Sequence, residues 1–492
     1  MEFGEPTLTL GQTLWLLSPE LLLVLSALIV MALDAIQLGR EDKRSLPYVT
    51  LAGLAASLIA TITLWGCNTR VLFVLSCDPF ALVVKAVALV AVGLVVLMSD
   101  VYIRAHSRFQ GEFYALLLFA TMAISLLGGA TNLVMIFLAF DFLSIASYLL
   151  TGFLRGDPRS AEAGMKYFLY GAALSAVMLY GMSWFYGLTG STDLSAIASG
   201  LLEMGGPVRL VALPALILMA AGFAFKIGAV PFHQWAPDAY EGAPTPVTAF
   251  LSVGPKVAGF AVIMRVFMTL VPVSFVDLTM DWRSLLMAIA VVTMTVGNLV
   301  ALWQNNVKRL LAYSSIAQAG YVLIGVAAAS PRGVTAVFLY LAAYVLTNLG
   351  AFAAVITFSN QTGSYMIEDY AGLGQRAPAV ALVLIVCLLS LTGIPPTAGF
   401  MGKLWLFSAA IEGGLTWLAV IGVINGVISL SYYWKIMRAM YFVEPETEES
   451  LPTSPALGVA LVVTVIGVLL IGVFPAPVVS VIETAAQAFF AG

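Results

Sequence analysis

The chain has 492 residues, of which 61% are hydrophobic and 10% charged, and its formal net charge is −4. Soluble domains have about 45–50% apolar and about 25% charged residues, so this chain has too few charges to cover a soluble protein of its length. The composition therefore indicates a polytopic integral membrane protein. The lack of basic clusters excludes a nucleic-acid-binding surface, and three cysteines and two histidines exclude an iron–sulfur cluster or a typical zinc site.

Apolar stretches long enough for a helix to cross a bilayer, about 20 residues each, recur along the whole chain. They predict an all-α fold with about 14 transmembrane helices. The predicted spans are 16–36, 46–66, 79–99, 112–130, 132–154, 162–188, 208–232, 245–270, 284–304, 309–329, 333–358, 378–411, 415–440 and 455–475.

Basic residues in the loops between these spans predict the orientation, because positively charged loops stay on the cytoplasmic side. With the N-terminus outside, the inner loops hold twelve of the 22 basic residues and the outer loops hold four. The inner ones are Arg40, Lys43, Arg44, Arg104, Arg108, Arg155, Arg159, Lys308, Arg309, Arg376, Lys435 and Arg438, and the outer ones are Arg70, Arg209, Arg283 and Arg332. We therefore expect both termini on the outside.

Six basic residues remain inside or at the ends of the spans. They are Lys85, Lys166, Lys226, Lys256, Arg265 and Lys403. A charge at the bilayer centre costs at least about 2.5–3.5 kcal/mol, so each of them needs a partner, a wet cavity or a neutral form. Lys256 lies near the middle of its span, too far from either interface to snorkel, and Pro255 before it removes a backbone donor.

Prolines and glycines break two of the predicted spans beside a lysine. Lys226 is followed by Pro231 and Pro237, and Lys403 follows the pair Pro395–Pro396 between Gly393 and Gly399. A broken helix at membrane depth must face protein or water, and two of them in two halves of a chain indicate inverted-repeat transporters. The alternative is a kinked helix whose lysine reaches the interface.

This pattern predicts four regions of the chain. Residues 1–111 form an N-terminal three-helix segment, and residues 112–270 form a five-helix repeat that is broken near 226–237. Residues 271–440 form a second, inverted five-helix repeat that is broken near 393–399, and residues 441–492 form a C-terminal helix and tail.

Asp141 is the acidic residue deepest within a predicted span, and Lys226 is its candidate partner. A buried lysine can bind and release a proton near neutral pH, because desolvation weakens its hold on the proton. Lys226, Lys256 and Lys403 together with Asp141 therefore predict a lateral proton relay. His233 is a further candidate within it. The sequence contains no recognisable nucleophile, metal site or redox centre, so the driving energy must come from an ion gradient or a partner protein.

Three of the six basic residues are weaker candidates for a role in proton transfer. Lys166 opens its span near the inner face and is a candidate for a proton-entry route. Lys85 and Arg265 lie within two turns of the outer interface, so snorkelling explains them as well as function does.

Five stretches carry a resemblance to a known family. They are DPRSAEAGMKYFLYGA (157–172), FKIGAVPFHQWAPDAYEGAPTPVTAFLSVGPK (225–256), KRLLAYSSIAQAGYVLIG (308–325), EDYAGLG (368–374) and LSLTGIPPTAGFMGKLWLF (389–407). With them the chain resembles the antiporter-like subunit N of the proton-pumping NADH:quinone oxidoreductase, respiratory complex I. The segment HQWAPDAYEGAPTPV is specific to that branch.

The resemblance implies 14 helices with two inverted five-helix repeats, in the membrane arm of a complex in the bacterial inner membrane. It implies an ion pair of Asp141 with Lys226, a central relay at Lys256 and an outlet-side residue at Lys403. The family usually has glutamate where this chain has Asp141, which shortens the reach toward Lys226 by about one methylene.

The same resemblance implies that the chain is part of an enzyme without performing redox chemistry itself. It binds no cofactor or metal, and NADH, flavin, iron–sulfur clusters and quinone belong to partner subunits. The partners are other antiporter-like and small membrane subunits, and quinone reduction in the complex drives the protons.

Three alternatives stay open from the sequence. One is the equivalent subunit of a photosynthetic ferredoxin:plastoquinone complex in thylakoid membranes, which shares these stretches. Another is a subunit of a multi-subunit sodium/proton antiporter, which shares the fold and the broken-helix lysines. The third is a structural membrane subunit that conducts no ions.

Overall fold

The structure is a computed structural model that describes residues 8–37, 43–205, 208–271, 276–445 and 451–491. Arg40, one of the residues that predict the orientation, lies outside these ranges. The helices in the described ranges are α1 (Leu10–Leu16), α2 (Ser18–Ile36), α3 (Ser45–Thr63), α4 (Pro79–His106), α5 (Gln110–Gly129), α6 (Leu133–Thr151), α7 (Pro158–Thr189), α8 (Leu194–Met204), α9 (Arg209–Ile227), α10 (Trp235–Gly242), α11 (Thr245–Leu270), α12 (Val276–Ala301), α13 (Val307–Ala327), α14 (Pro331–Thr362), α15 (Leu373–Arg376), α16 (Pro378–Thr392), α17 (Ala398–Glu412), α18 (Thr416–Phe442), α19 (Pro455–Val473) and α20 (Ala476–Ala491).

Within those ranges, 13 helices are long and apolar enough to cross a membrane. They coincide with 13 of the predicted spans. The remaining predicted span, 378–411, consists of the two half-helices α16 and α17, each of 15 residues. An antiparallel hairpin of β1 (Thr69–Val71) and β2 (Leu75–Cys77) joins α3 to α4, with Arg70 opposite Ser76. The predicted all-α membrane architecture is confirmed.

Local sequence signals explain where many of these helices begin. Asp78, Asn132, Asp157, Asn306 and Ser330 each precede a helix and accept a hydrogen bond from a backbone N–H in its first turn. These bonds satisfy donors that have no partner within the helix. Proline occupies the first turn of several of the same helices, where its missing N–H costs nothing.

The centre of the protein consists of α11, α13 and α14, which are almost entirely buried by other helices. By contrast, α2, α7 and α19 bury about a third of their residues and present large apolar side chains outward. Close helix contacts use glycine, as in many membrane proteins. A Cβ at Gly320 of α13 would lie 2.7 Å from the backbone nitrogen of Met294 on α12.

Both predicted helix breaks are present. The first half-helix α9 ends at Gly228, whose φ is +72°, and residues 229–234 lead into α10. The half-helix α16 ends at Gly393, whose φ is +91°, and residues 394–397 lead into α17. Glycine suits both ends because side chains disfavour this left-handed conformation. The peptide bonds before Pro231 and Pro396 are cis. The boundaries of the four regions stay a prediction.

Candidate functional site

Lys226 lies in the last turn of α9, directly before the first break, and is 1% exposed. Its ammonium donates a hydrogen bond to the hydroxyl of Ser144 on α6 at 2.7 Å and lies 4.9 Å from the ring centre of Phe140. A cation is favoured in the last turn of a helix, because the helix dipole is negative at that end. The break therefore places the charge where the helix itself stabilises it.

Asp141 lies on α6 three residues before Ser144, so the two side chains are on the same side of the helix. Asp141 is only half-buried. Among the described residues, no ion pair joins Asp141 to Lys226, and Ser144 holds the ammonium instead. The predicted direct pair is thus not formed. The short aspartate side chain, one methylene shorter than glutamate, accounts for this difference.

Lys256 lies in the middle of α11 and is 4% exposed. Its ammonium donates to the backbone carbonyl of Ser315 on α13. The hydroxyl of Ser315 in turn accepts a hydrogen bond from Tyr344 at 2.8 Å and lies 3.4 Å from the hydroxyl of Tyr240. The expected partner of this midplane lysine is therefore a polar pocket of carbonyl and hydroxyl groups.

Lys403 lies on α17, just after the second break, and is 5% exposed. Its ammonium donates to the carbonyls of Leu391 at 2.9 Å and Thr392 at 2.8 Å, the last two residues of α16. These carbonyls are free because the helix stops at Gly393. The ring of Tyr321 lies 4.4 Å from the ammonium. A cavity of about 360 Å³ between α16, α17 and α18 is also lined by Lys403.

A polar side of α13 lies between Lys256 and Lys403. Ser314 and Gln318, one helical turn apart, both contact the hydroxyl of Tyr433 on α18, at 2.5 and 3.4 Å. The carbonyl oxygen of Gln318 accepts a hydrogen bond from Tyr340 on α14. Three helices therefore contribute to one buried hydrogen-bonded group.

This group connects the two lysines. The amide nitrogen of Gln318 donates to the carbonyl of Leu391 at 3.1 Å, the same oxygen that Lys403 contacts. At the other end, Ser314 is the chain neighbour of Ser315, which binds Lys256. Polar groups therefore extend from Lys256 to Lys403. Hydrogen bonds link them from Ser314 onward, and the step from Ser315 to Ser314 is along the backbone.

The approach of Lys226 to α11 depends on a glycine. A Cβ at Gly259 would lie 2.7 Å from Ile227 and 3.7 Å from Lys226. Gly259 is three residues after Lys256, on the same side of α11. The small residue lets the end of α9 pack against the helix that carries Lys256. Between these two lysines, the described side chains form no hydrogen-bonded series like the one on α13.

Lys166 takes part in a cluster of charged residues around α10, beyond the first break. It pairs with Asp238 of α10 at 2.7 Å and with Glu162 at 2.8 Å, and Arg309 pairs with Asp238 at 2.9 Å and Glu241 at 2.6 Å. Partial burial raises the pKa of Asp238, but hydrogen bonds from Lys166 and Arg309 outweigh it and hold this pKa below its usual range. The role of Lys166 in proton entry stays a prediction.

Lys308 differs from its assignment to an inner loop that marks orientation. It is 2% exposed and donates to the carbonyls of Glu241 at 2.8 Å and Ala243 at 2.7 Å, at the C-terminal end of α10. In the sequence, Lys308 stands at the start of a predicted span, and this position gave no sign that the side chain is buried.

His233 lies between the two halves of the first broken helix, and its Nδ1 atom has no hydrogen-bond partner among the described residues.

Lys85 and Arg265, the two residues with a snorkelling alternative, are both in buried ion pairs. Lys85 pairs with Glu20 of α2 at 2.6 Å, and Arg265 pairs with Asp78 at 3.0 Å. Burial raises the pKa of Asp78, but the Arg265 guanidinium outweighs it, and the pKa lies below its usual range. Sequence reasoning did not single out Glu20, although an acidic residue inside the first predicted span was a visible signal.

The chain is similar in sequence to subunits of NAD(P)H-quinone and NADH-quinone oxidoreductases. A family model described as "NADH:quinone oxidoreductase/Mrp antiporter, TM" matches residues 130–429. The chain is 43% identical over 487 residues to NAD(P)H-quinone oxidoreductase subunit 2 of Gloeobacter violaceus, covering 97% of this chain and 92% of that protein. It is 43% identical over 452 residues to NADH-quinone oxidoreductase subunit N of Trichlorobacter lovleyi, covering 91% and 92%. The chain belongs to this family.

Solved structures extend the family likeness to the fold. A chain of respiratory complex I from Thermus thermophilus with bound aureothin is 31% identical, with a TM-score of 0.79 over 94% of this chain and 98% of that one. A chain of the Mrp complex from Dietzia sp. has a TM-score of 0.82 at 20% identity, over 97% and 98%. The second likeness shows the shared fold alone.

The sequence alone did not reveal the polar groups that lie between Lys256 and Lys403. Ser314 and Gln318 are spaced by one helical turn in KRLLAYSSIAQAGYVLIG, and this spacing was the available signal. Tyr340 and Tyr433 lie on other helices, and nothing local to either of them indicates that they meet Gln318.

Proposed function

We propose that this chain is a proton-translocating, antiporter-like membrane subunit of a multi-subunit NADH:quinone oxidoreductase. The relatives with that name, at 43% identity over most of both chains, support the assignment. The observation that carries the mechanism is the series of polar groups between Lys256 and Lys403. The chain contributes proton transfer, and NADH, flavin, iron–sulfur clusters and quinone are assigned to partner subunits.

In this mechanism, protons move laterally between buried lysines. A proton released by Lys256 passes the hydroxyl groups of Ser314 and Tyr433 and loads Lys403. Gln318 holds the acceptor carbonyl of Leu391 and the Tyr433 hydroxyl in one arrangement. Lys226, whose ammonium is bound by Ser144, is the relay lysine before Lys256 and lies beside α11.

The energy for this transfer comes from outside the chain. Each proton moved against 100 mV costs about 2.3 kcal/mol, and none of the proposed relay groups performs redox chemistry. A change of charge near Lys226, caused by quinone reduction in partner subunits, alters how tightly the next lysine holds its proton. Asp141 is half-buried at membrane depth and is therefore placed to pass such a change from a neighbouring subunit.

We assign the complex to the bacterial inner membrane with both termini of this chain outside. Without the buried Lys308, eleven inner basic residues against four outer ones support this orientation. The equivalent subunit of a photosynthetic complex in thylakoid membranes is the alternative. Labelling of single introduced cysteines by a membrane-impermeant reagent tests the orientation. Labelling of a terminus only after the membrane is opened would contradict it.

The test of function is the proton-to-electron ratio of the purified complex in sealed vesicles. In Lys256→Ala we expect quinone reduction to continue with a lower ratio of protons to electrons. Lys435→Ala, a change of a lysine outside the relay at the end of α18, is the matched control. An unchanged ratio in an assembled Lys256→Ala complex would contradict the proposal and support a purely structural subunit.

The structural likeness to the Mrp complex supports a second candidate, a subunit of a multi-subunit sodium/proton antiporter. The proteins that co-purify with the chain distinguish the two. Co-purification with quinone-reducing activity supports the first proposal. Sodium-dependent proton transport without such activity would support the second and exclude the first.

A further inference from the structure

Two arginines converge on one aromatic ring at the predicted inner surface. The guanidinium group of Arg108 lies 5.0 Å from the ring centre of Phe109, and that of Arg155, from the loop after α6, lies 4.7 Å from it. Both arginines are exposed. Among the described residues, neither guanidinium has an ion pair or a hydrogen bond. Both guanidinium groups therefore lie within about 5 Å of the same ring, and among the described residues neither has a direct ionic partner.

An apolar groove extends from this pair between transmembrane helices. A cavity of about 350 Å³ is lined by Arg155 and Phe109 at one end and by Met31 of α2, Phe119 of α5 and Leu149 of α6. A second cavity of about 370 Å³ shares Arg155 and Phe109 and continues past Arg108. A charged end at the membrane boundary therefore opens into a groove at hydrocarbon depth.

We propose that this groove binds an anionic phospholipid. The phosphate lies between Arg108 and Arg155, because guanidinium groups donate paired hydrogen bonds to phosphate oxygens. One acyl chain follows the groove past Met31, Phe119 and Leu149. Basic pockets between transmembrane helices on the cytoplasmic side are typical sites for acidic lipid headgroups.

Two carboxylates near the arginines decide between a lipid and free phosphate. Asp157 lines the second cavity, the one that continues past Arg108. Its side chain accepts a hydrogen bond from the backbone of Arg159 at 2.9 Å and caps α7. Glu112 lines the groove in the first turn of α5, where a helix favours negative charge. They reduce the local positive charge, so the phosphate alone is weakly held. The apolar groove supplies the remaining affinity, which only a molecule with an acyl chain can use.

The site joins the N-terminal three-helix segment to the first predicted repeat, because the groove has walls from α2, α5 and α6. None of its lining residues belongs to the proposed lysine relay. The lipid proposal therefore requires only that the chain lies in a membrane, and it stands or fails separately from proton transfer.

The test uses the intact complex in nanodiscs of a zwitterionic lipid, with trace phosphatidylglycerol that carries a photoreactive acyl chain. Photolabelled peptides are identified by mass spectrometry. We expect labelling within residues 109–119 and 149–155. Each arginine near an acidic headgroup strengthens binding roughly fivefold, so Arg108→Gln with Arg155→Gln should weaken it by roughly 30-fold. Met31→Trp, which fills the groove without a change of charge, should also reduce labelling.

Arg332→Gln is the matched control. Its guanidinium also lies over an aromatic ring, that of Trp405, but Glu412 at 2.6 Å already neutralises it, so labelling should not change. Equal labelling by photoreactive phosphatidylcholine, or no effect of the double substitution, would overturn the proposal. Competition by inorganic phosphate would indicate a free-anion site instead. Crosslinks from the groove to another protein subunit would show that a protein covers it.

Discussion

The two broken helices each place a buried lysine beside the break, but on opposite sides of it. At the first break, Lys226 belongs to the half-helix before the break and lies in its last turn, at the C-terminal end. At the second break, Lys403 belongs to the half-helix that begins, and its side chain folds back onto the carbonyls of Leu391 and Thr392. At the second break, carbonyls at the end of a half-helix bind the ammonium directly. At the first break, Lys226 lies in the last turn of its half-helix, and its ammonium binds the Ser144 hydroxyl instead.

The surroundings of the two breaks also differ. Lys226 has a single hydroxyl partner, Ser144, on a helix that faces outward with Asp141 beside it. Lys403 has two carbonyl partners and a connection to α13 through Gln318. We infer that the first break is suited to respond to a neighbouring subunit, and that the second is suited to receive protons from the centre of the chain.

The largest effect is expected at the lysines themselves. Lys403→Met keeps the apolar volume but removes the titratable group, so proton transfer coupled to quinone reduction should fall about a hundredfold, as for loss of a general acid–base. The measurement is the initial rate of proton uptake by sealed vesicles. Lys435→Met, which removes an exposed lysine outside the relay and leaves no carboxylate unpaired, serves as the control. An equal loss in both variants would point to assembly rather than transfer.

A smaller effect is expected at the partner of Lys226. Ser144→Ala removes the hydroxyl that accepts from the ammonium, and loss of a hydrogen bond to a charged group should lower coupled transfer about tenfold. In that background, Asp141→Glu adds one methylene of reach toward Lys226 and should restore most of the rate. No rescue by the glutamate would mean that Asp141 does not face Lys226.

The connection between the breaks should be less sensitive. Gln318→Leu removes neutral hydrogen bonds to Leu391 and Tyr433. It should lower the proton-to-electron ratio and slow proton transfer coupled to quinone reduction about fivefold. Gln304→Leu, at the end of α12 away from the lysines, is the control. If both variants keep the full ratio, protons do not pass along α13.

The smallest effect concerns the cluster of charged residues around α10, beyond the first break. The pKa of Asp238 is held below its usual range by Lys166 and Arg309, so its contribution to stability is present above the pKa of the unfolded chain and is lost as the pH falls through the lower folded value. Because the pairs are partly exposed, Asp238→Asn should cost at most about 1 kcal/mol at neutral pH.

The measurement for Asp238 is the midpoint of thermal dissociation of the complex at several pH values. The difference between the wild type and Asp238→Asn should be largest near neutral pH and should shrink below about pH 4, the ordinary range of an aspartate. A difference that grows toward acid pH would show the opposite sign and contradict the assigned pKa.

Much of the fold was predictable because its signals are local. Each span can be recognised from its own transfer energy into lipid. The clusters of proline and glycine after Lys226 and before Lys403 marked the two breaks, although the single pair Gly254–Pro255 leaves α11 continuous. Lys226, Lys256 and Lys403 were recognisable as relay candidates for the same reason, since the cost of a charge at membrane depth depends on its position in one segment.

The partners of those lysines were not predictable, because helix rotation and packing decide them. The depth of Asp141 in its span and the family resemblance favoured it as the partner of Lys226, but the structure places Ser144 there. Lys308 reads as a loop residue, yet α10 covers it. The sequence by itself determined how many helices cross the membrane, where two of them break and which charges stay inside. Only the tertiary structure decided which carbonyl or hydroxyl meets each charge, since those groups come from helices far apart in the chain.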